Sequence, residues 1–332
     1  MAAGSVLMFG DINIDNIFML SEFPAPGRDG YADHIEMKIG GTVCNSAVVM
    51  RGLGQPTSVL GSVGEDIWSK FIFEELYKAD VDSSHVVTKP NIHTGLIFIA
   101  VTPNGQRTML SHRGANIAIQ PEDIDQDILD NVCWLELTGY VFIKDPQRET
   151  AWRLVEMAAN RNIPISMDTG LDPVILAPDT IHEVLPYLSV LITGGAEAER
   201  LTHADEYHHQ INALLALGPE QVAIKLGHEG AVLGWADGLL YNPAFPVKVL
   251  DTTGAGDAFT AGLLYGYLHK FSPNGSLLLA NAMGGLASTV YGASRMQYGE
   301  VVSFLLQMRQ LMDIGRDDQA FNEVLQHWSQ TR

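Results

Sequence analysis

The stretch Asp251-Thr252-Thr253-Gly254-Ala255-Gly256-Asp257-Ala258-Phe259 sets two glycines and two aspartates immediately before a long apolar helical pattern. Gly254, Ala255 and Gly256 fall in the turn entering that helix, where backbone N–H groups have no intrahelical partner. Those donors and the helix dipole form an anion site, and glycines let the anion approach closely. Asp257 has two readings. As a first-turn acid it caps the helix, a common role. Beside a phosphate that role is electrostatically awkward, whereas an acid that removes the proton of an attacking hydroxyl is useful there.

Other polar residues sit where a ligand could be held. Asn13 and Asp15 follow the first strand-like run, and an amide with a carboxylate can bind vicinal hydroxyls, although a lone turn acid is more often solvated. Gly40-Gly41 offers a close-approach turn continued by Thr42, with Asn45 in the first helical turn beyond it. Arg107 and Arg113 lie in and just after an extended segment, where each either meets a carboxylate or phosphate of a ligand or faces solvent. His208-His209 has no third ligand at useful spacing, so no metal site is expected there. The chain carries no GxxxxGK[ST], which excludes a P-loop kinase. No GxGxxG follows the first strand, which argues against a dinucleotide oxidoreductase.

These residues must be positioned by alternating strands and helices. Strands are expected at Val6–Phe9, Thr57–Gly61, Val132–Leu137, Pro164–Met167, Val190–Thr193 and Gln221–Lys225. Helices are expected at Val43–Leu53, Asp66–Ala79, Gln147–Asn160 and Glu206–Leu217, then at Ala258–Lys270, Leu277–Tyr291, Val301–Met312 and a polar C-terminal segment. The alternation implies an α/β fold with a mostly parallel central sheet and helices on both faces. Ligands of such sheets gather at the carboxyl ends of the strands. Residues 29–38 and 93–111 break the pattern and read as extended, the second as a hairpin around Pro103-Asn104-Gly105. They predict a small β-sheet lid inserted into a single domain spanning residues 1–332.

The 39 acids against 20 Lys plus Arg give a formal charge of −19, which disfavours nucleic acid and anionic membranes as partners. No apolar run approaches the ~18 residues of a membrane span, and the N-terminus has no basic n-region. Cys44 and Cys133 form no CxxC pair and read as reduced thiols, which suits a cytoplasmic protein.

Taken together, from Val6 to about Met296, these motifs resemble the ribokinase-like (PfkB) carbohydrate kinases. Asp251–Phe259 is similar to the family's C-terminal signature, "IGGTVCNSAVVMRGLG" to its N-terminal one, and "GDINIDNIFMLSEFPAPG" to its first strand and following loop. The resemblance implies that Asp257 is the catalytic base and that Gly254, Ala255 and Gly256 form the anion hole. It implies that Asn13, Asp15, Gly41, Thr42 and Asn45 hold sugar hydroxyls, with Arg107 and Arg113 nearby. It also implies ATP with Mg²⁺ as the phosphoryl donor, with Lys225, Gly227, Gly230 and Asn281 near the nucleotide and Glu197 organising the water around the metal. A monovalent cation, K⁺, is implied at Asp251, Thr253 and Gly292. Two positions depart from the pattern. Gly194 stands where an asparagine is usual, and Thr42 where ribokinase carries a lysine, so ribose specificity does not carry over. The expected activity is ATP-dependent phosphorylation of a small sugar by a homodimer paired through the lid. The alternatives are a nucleoside kinase on the same fold or a non-catalytic sugar or nucleotide sensor.

Overall fold

The computed structural model describes residues 4–103, 107–290, 292, 295–315 and 318–329. The expected turn at Asn104-Gly105 and Tyr291 lie outside those residues, and the helix expected over Leu277–Tyr291 runs instead over Pro273–Ala287. Thirteen strands are present: β1 (Ser5–Phe9), β2 (Asn13–Leu20), β3 (Ala32–Gly40), β4 (Thr57–Gly64), β5 (Asp82–Lys89), β6 (Gly95–Val101), β7 (Arg107–His112), β8 (Val132–Thr138), β9 (Ile165–Asp168), β10 (Val190–Gly194), β11 (Gln221–Lys225), β12 (Ala231–Trp235) and β13 (Gly238–Asn242). Nine make one sheet in the order β13-β12-β11-β10-β9-β8-β1-β4-β5. Every pairing from β11 to β5 is parallel, while β12 and β13 add an antiparallel hairpin at one edge.

The all-apolar run Val6-Leu7-Met8-Phe9 is fully buried because β1 lies mid-sheet with both faces covered. Val6 and Met8 pack into one layer with the helices Thr42–Gly52, Ala255–Leu268 and Pro273–Ala287. Leu7 and Phe9, pointing the other way, join a second layer with the helix Gln147–Asn160. The helix Ala255–Leu268 is buried nearly all round, and its glycines let a neighbour come close. A Cβ on Gly262 would lie 2.8 Å from Met283 Cγ and 3.0 Å from Ala280 Cα.

The small sheet has the order β3-β2-β6-β7. Its strands β3, β6 and β7 cover the two segments expected to form a lid. Its centre differs from the sequence expectation, since Asn13–Leu20 is a strand rather than a loop. The run Asn13-Ile14-Asp15 already alternates polar with apolar, and β2 pairs with both β3 and β6. Thus Asn13 and Asp15 stand at the root of the lid. Asp66 fastens that root to the main body: it caps the helix Ile67–Lys78 and accepts the Thr94 N–H at 2.8 Å, just before β6.

The edge strand β5 and the β12–β13 hairpin are additions to the predicted set. The Ala236-Asp237 turn followed by Gly238 carries a recognisable hairpin signal. The helix after the glycine turn begins at Ala255 rather than Ala258.

Candidate active site

Phe9, Thr138, Asp168, Gly194 and Lys225 end five neighbouring parallel strands of the large sheet on one edge. The glycine turn faces that edge. Gly254 alone of its residues takes a left-handed conformation, with φ 76°, and caps the helix. The Ala255 N–H donates to Thr252 O at 3.2 Å and is therefore used within the turn. The N–H groups of Gly254, Gly256 and Asp257 have no acceptor among the described residues, so the free amides of this turn include that of Asp257 rather than Ala255.

Asp257 sits in the first turn, and Asn45 Nδ2 donates to its Oδ2 at 2.7 Å. Ser46 Oγ donates to the Asp257 carbonyl at 3.0 Å, so the two helix starts are stitched together. Burial pushes the Asp257 carboxyl up to about 7; the Asn45 hydrogen bond and Lys225 oppose this, while Asp168 and Asp15 add to it. A carboxyl poised near neutrality suits proton transfer.

A cavity of about 410 Å³ opens in front of Asp257. Asn13, Gly41, Thr42, Asn45 and Arg113 line it, as do Thr253 and Gly254. Asp11, Ser111, Thr138, Tyr140 and Asp172 add polar groups, and Ile97 and Met109 from the lid face Ile143 and Leu176 across it. Gly41 is required at this corner: φ is 93°, and a Cβ would lie 2.0 Å from the Asp11 carbonyl oxygen. Asn13 is oriented by Asn116, whose Nδ2 donates to Asn13 Oδ1 at 2.8 Å.

Arg113 does line the cavity, but Asp11 holds it. Its Nε and Nη2 each donate to the Asp11 carboxylate at 2.7 Å, and Nη2 also reaches Gln147 Oε1 at 2.7 Å and Tyr140 O at 3.0 Å. Asp15 and Arg107 are not among the lining side chains. Asp15 is buried beside Gly40 with Oδ1 unpartnered, and burial pushes its carboxyl up to about 6. Arg107 instead reaches the Asp251–Thr253 loop, donating through Nη2 to Thr252 Oγ1 at 2.9 Å.

On the side expected to hold nucleotide, Lys225 Nζ donates to Asp168 Oδ2 at 2.6 Å, and Thr260 Oγ1 donates to the same oxygen at 2.9 Å. A Cβ on Gly256 would lie 3.4 Å from Lys225 Nζ, so this ammonium underlies the glycine turn. Glu197 caps its own helix Gly195–Thr202: it accepts a short bond from the Gly194 N–H and another from Thr169 Oγ1 at 3.0 Å. A Cβ on Gly194 would sit 3.0 Å from Glu197 Oε2, the movable end of a side chain, so space alone does not demand the glycine found in place of the expected asparagine. Gly230, φ 112°, closes the turn against Asn242 O, and Gly227 lies in open space. Asn281 Nδ2 donates to Asn242 O at 3.0 Å, tying its helix to the β13 end.

Sequence reasoning missed Asp11, Gln147, Asp168, Thr260 and Glu136. Glu136 is fully enclosed beside Ser166, and burial pushes its carboxyl up to about 8. An acid inside the apolar run Val132–Thr138 was the available signal, since buried acids need a stated partner. No group of three or more His, Cys, Asp or Glu among the described residues could cage a metal. Glu197 and Asp168 are the carboxylates near the glycine turn, oxygen donors of the kind that would face a Mg²⁺ carried on nucleotide phosphates. The K⁺ expectation fits less well. Asp251 accepts from the Thr253 amide, the Thr253 hydroxyl, the Gly292 amide and Arg107, and these donors hold its carboxyl below the usual range although burial acts against them.

A glycine turn with free amides, a near-neutral acid and a polar cavity under a lid fit an α/β enzyme that transfers phosphoryl groups to alcohols. Residues 3–297 match the pfkB family of carbohydrate kinases, and the chain belongs to that family of sugar and nucleoside kinases. It is 28% identical to an ATP-dependent ribose-1-phosphate kinase of Halopiger xanaduensis over 92% of this chain and 98% of the relative. It is 29% identical to a 2-dehydro-3-deoxygluconokinase of Thermoproteus tenax, over 80% of this chain and 84% of the relative. Among solved structures, Arabidopsis thaliana ribokinase complexed with ribose and ATP superposes with TM-score 0.79 at 26% identity, covering 91% of this chain and 98% of that one. An Escherichia coli putative ribokinase II in complex with ATP and Mg²⁺ shares the fold, with TM-score 0.82 at 21% identity over 92% and 99% of the two chains. The mostly parallel sheet with a separate lid is thus the ribokinase fold.

Proposed function

We propose that this chain transfers the γ-phosphoryl group of ATP to a hydroxyl of a small neutral sugar. The observation that carries the reading is Asp257, held at 2.7 Å by Asn45 and facing the cavity beside the free amides of the glycine turn. In the proposed mechanism Asn13, Thr42 and Asn45 orient the acceptor, and Asp257 takes the proton from its attacking hydroxyl. The free amides at Gly254, Gly256 and Asp257 stabilise the charge that develops on the transferred group, and Lys225 adds a positive charge beneath them. Bound Mg²⁺ would supply neutralisation of the phosphate charge, with Glu197 and Asp168 on its side of the site. Ile97 and Met109 on the closed lid exclude water and so suppress ATP hydrolysis.

A neutral acceptor is favoured over the anionic ones named for the two curated relatives because the Arg113 fork is already occupied by Asp11. The cavity's other charged side chains include Asp172 and Asp257, which repel a carboxylate or phosphate. A nucleoside is the second reading, favoured by the apolar wall of Ile97, Met109, Ile143 and Leu176, against which a base could lie. The outward lid face exposes Ile35, Phe98 and Leu110, and a second copy of the chain is the proposed cover, giving a homodimer. No helix among the described residues is long and apolar enough to cross a membrane; use of ATP and the two free cysteines suit the cytoplasm. Coupled ADP release across neutral sugars, sugar acids, phosphosugars and nucleosides tests the reading. Turnover with a neutral sugar is expected; turnover confined to acidic or phosphorylated acceptors overturns the neutral assignment, and none with any acceptor favours a sensor.

A further inference from the structure

One lid side chain reaches the loop that leads into the glycine turn. Arg107 is the first residue of β7, on the inward face of the lid with Met109 and Ser111. Its guanidinium crosses to a loop far away in sequence. Nη2 donates to Thr252 Oγ1 at 2.9 Å, and Nη1 donates to Thr253 Oγ1 in a short bond and lies 3.4 Å from Asp251 Oδ1. The same Asp251 carboxylate takes the Thr253 amide at 2.9 Å, the Thr253 hydroxyl at 2.8 Å and, on its other oxygen, the Gly292 amide at 2.8 Å.

Four donors, one of them a full positive charge, occupy most of what one carboxylate can accept. A monovalent cation using Asp251 as a ligand would sit beside a guanidinium and share one negative charge with it, and the two like charges would repel. The loop's next contact leads into the site, since Thr252 O accepts the Ala255 N–H and so sets the entry to the turn.

We propose that Arg107 takes the place of the monovalent cation. The lid-borne guanidinium neutralises Asp251 and fixes the Asp251–Thr253 loop, so the glycine turn needs no K⁺ and is fully ordered only when the lid is closed. Arg107 is therefore a positioning residue, not a ligand of the sugar. The effect on turnover rests on the kinase reading; the effect on the loop does not.

The test compares the full chain with Arg107→Met and Arg107→Lys in chloride salts of tetramethylammonium, Na⁺ and K⁺ at a fixed ionic strength of about 0.1 M. Two readouts are taken: ADP release with MgATP and an accepted acceptor, and thermal unfolding without ligands. The unaltered chain is expected to show the same turnover and Tm in all three salts. Arg107→Met is expected to lose about tenfold in turnover in tetramethylammonium, to regain most of it in K⁺, and to gain Tm specifically in K⁺. Arg107→Lys is expected to behave like the unaltered chain in its salt response. Strong K⁺ activation or stabilisation of the unaltered chain overturns the proposal, as does an Arg107→Met variant that is unaffected in all salts or impaired without K⁺ rescue. Should no acceptor turn over while the Tm pattern holds, the kinase reading fails and the Arg107 assignment stands.

Discussion

Asn45 Nδ2 lies 2.7 Å from Asp257 Oδ2, joining the first turns of two helices that start 213 positions apart (255 − 42) and meet at the mouth of one cavity. The contact does two things: it aims the carboxylate and it favours its charged form.

Asp257→Asn is expected to fold and to bind acceptor nearly normally while turnover falls by about 10²-fold or more. Steady-state ADP release with acceptor affinity measured by calorimetry checks this. Retained turnover would remove Asp257 from the role of base.

With Asp257 as the proposed base, its carboxyl at about 7 gives kcat/KM an acid limb. The expected profile climbs about tenfold per pH unit below neutrality and levels above it. Asn45→Leu removes the hydrogen bond that favours the carboxylate. It should therefore move the limb upward by about one unit, with less change in the plateau than Asp257→Asn. An unshifted limb would mean that another group titrates.

Stability should respond to the same raised carboxyls. Asp257 at about 7, Asp15 at about 6 and Glu136 at about 8 all hold protons in the folded chain that the unfolded chain releases near its ordinary carboxylate range. Their contribution is full below about pH 4 and is lost as pH rises through those folded values. Asp257→Asn should accordingly gain Tm relative to the unaltered chain between pH 5 and pH 8. A Tm difference that does not change with pH would contradict it. Asp66 and Asp251 act in the opposite sense, since their lowered values stabilise above the carboxylate range and lose that effect on acidification.

Asp11→Asn frees the Arg113 fork from a carboxylate. Selectivity should shift toward acceptors bearing a carboxylate or phosphate, read as a fall in their KM against a rise for the neutral acceptor. Unfolding should also become easier by about 1–2 kcal/mol as the pairing weakens. Unchanged selectivity would show that Asp11 does not set the preference.

Gly41→Ala is expected to cost about 2–3 kcal/mol or more from backbone conformation alone, because φ is 93° and the added Cβ meets the Asp11 carbonyl. Denaturant unfolding checks the loss, and a variant as stable as the parent would mean the corner can relax.

The local motif Asp251–Phe259, the apolar run of β1 and the strand–helix alternation were legible because each depends on neighbours in sequence: a helix start, a strand buried on both faces, a periodicity. That is why the glycine turn, the parallel sheet and the lid segments could be read directly. Lid strand β2 was obscured because Asn13-Ile14-Asp15 sits where a loop was expected, and its partners β3 and β6 are remote in sequence.

Residue types alone identified Arg107 and Arg113 as cations in or near the lid. Their partners depended on the folded geometry: Asp11 claims Arg113, and the Asp251–Thr253 loop claims Arg107. Likewise no local pattern gave Asp168 and Glu136 their partners: the folded sheet alone sets Glu136 beside Ser166 on the neighbouring strand and Asp168 within reach of Lys225 two strands away. Sequence determined which groups could carry charge and where glycine was needed, through local backbone geometry and residue chemistry. Tertiary structure decided which charges are spent on one another and which remain free for a ligand, because that depends on distances across strands and helices that no local pattern encodes.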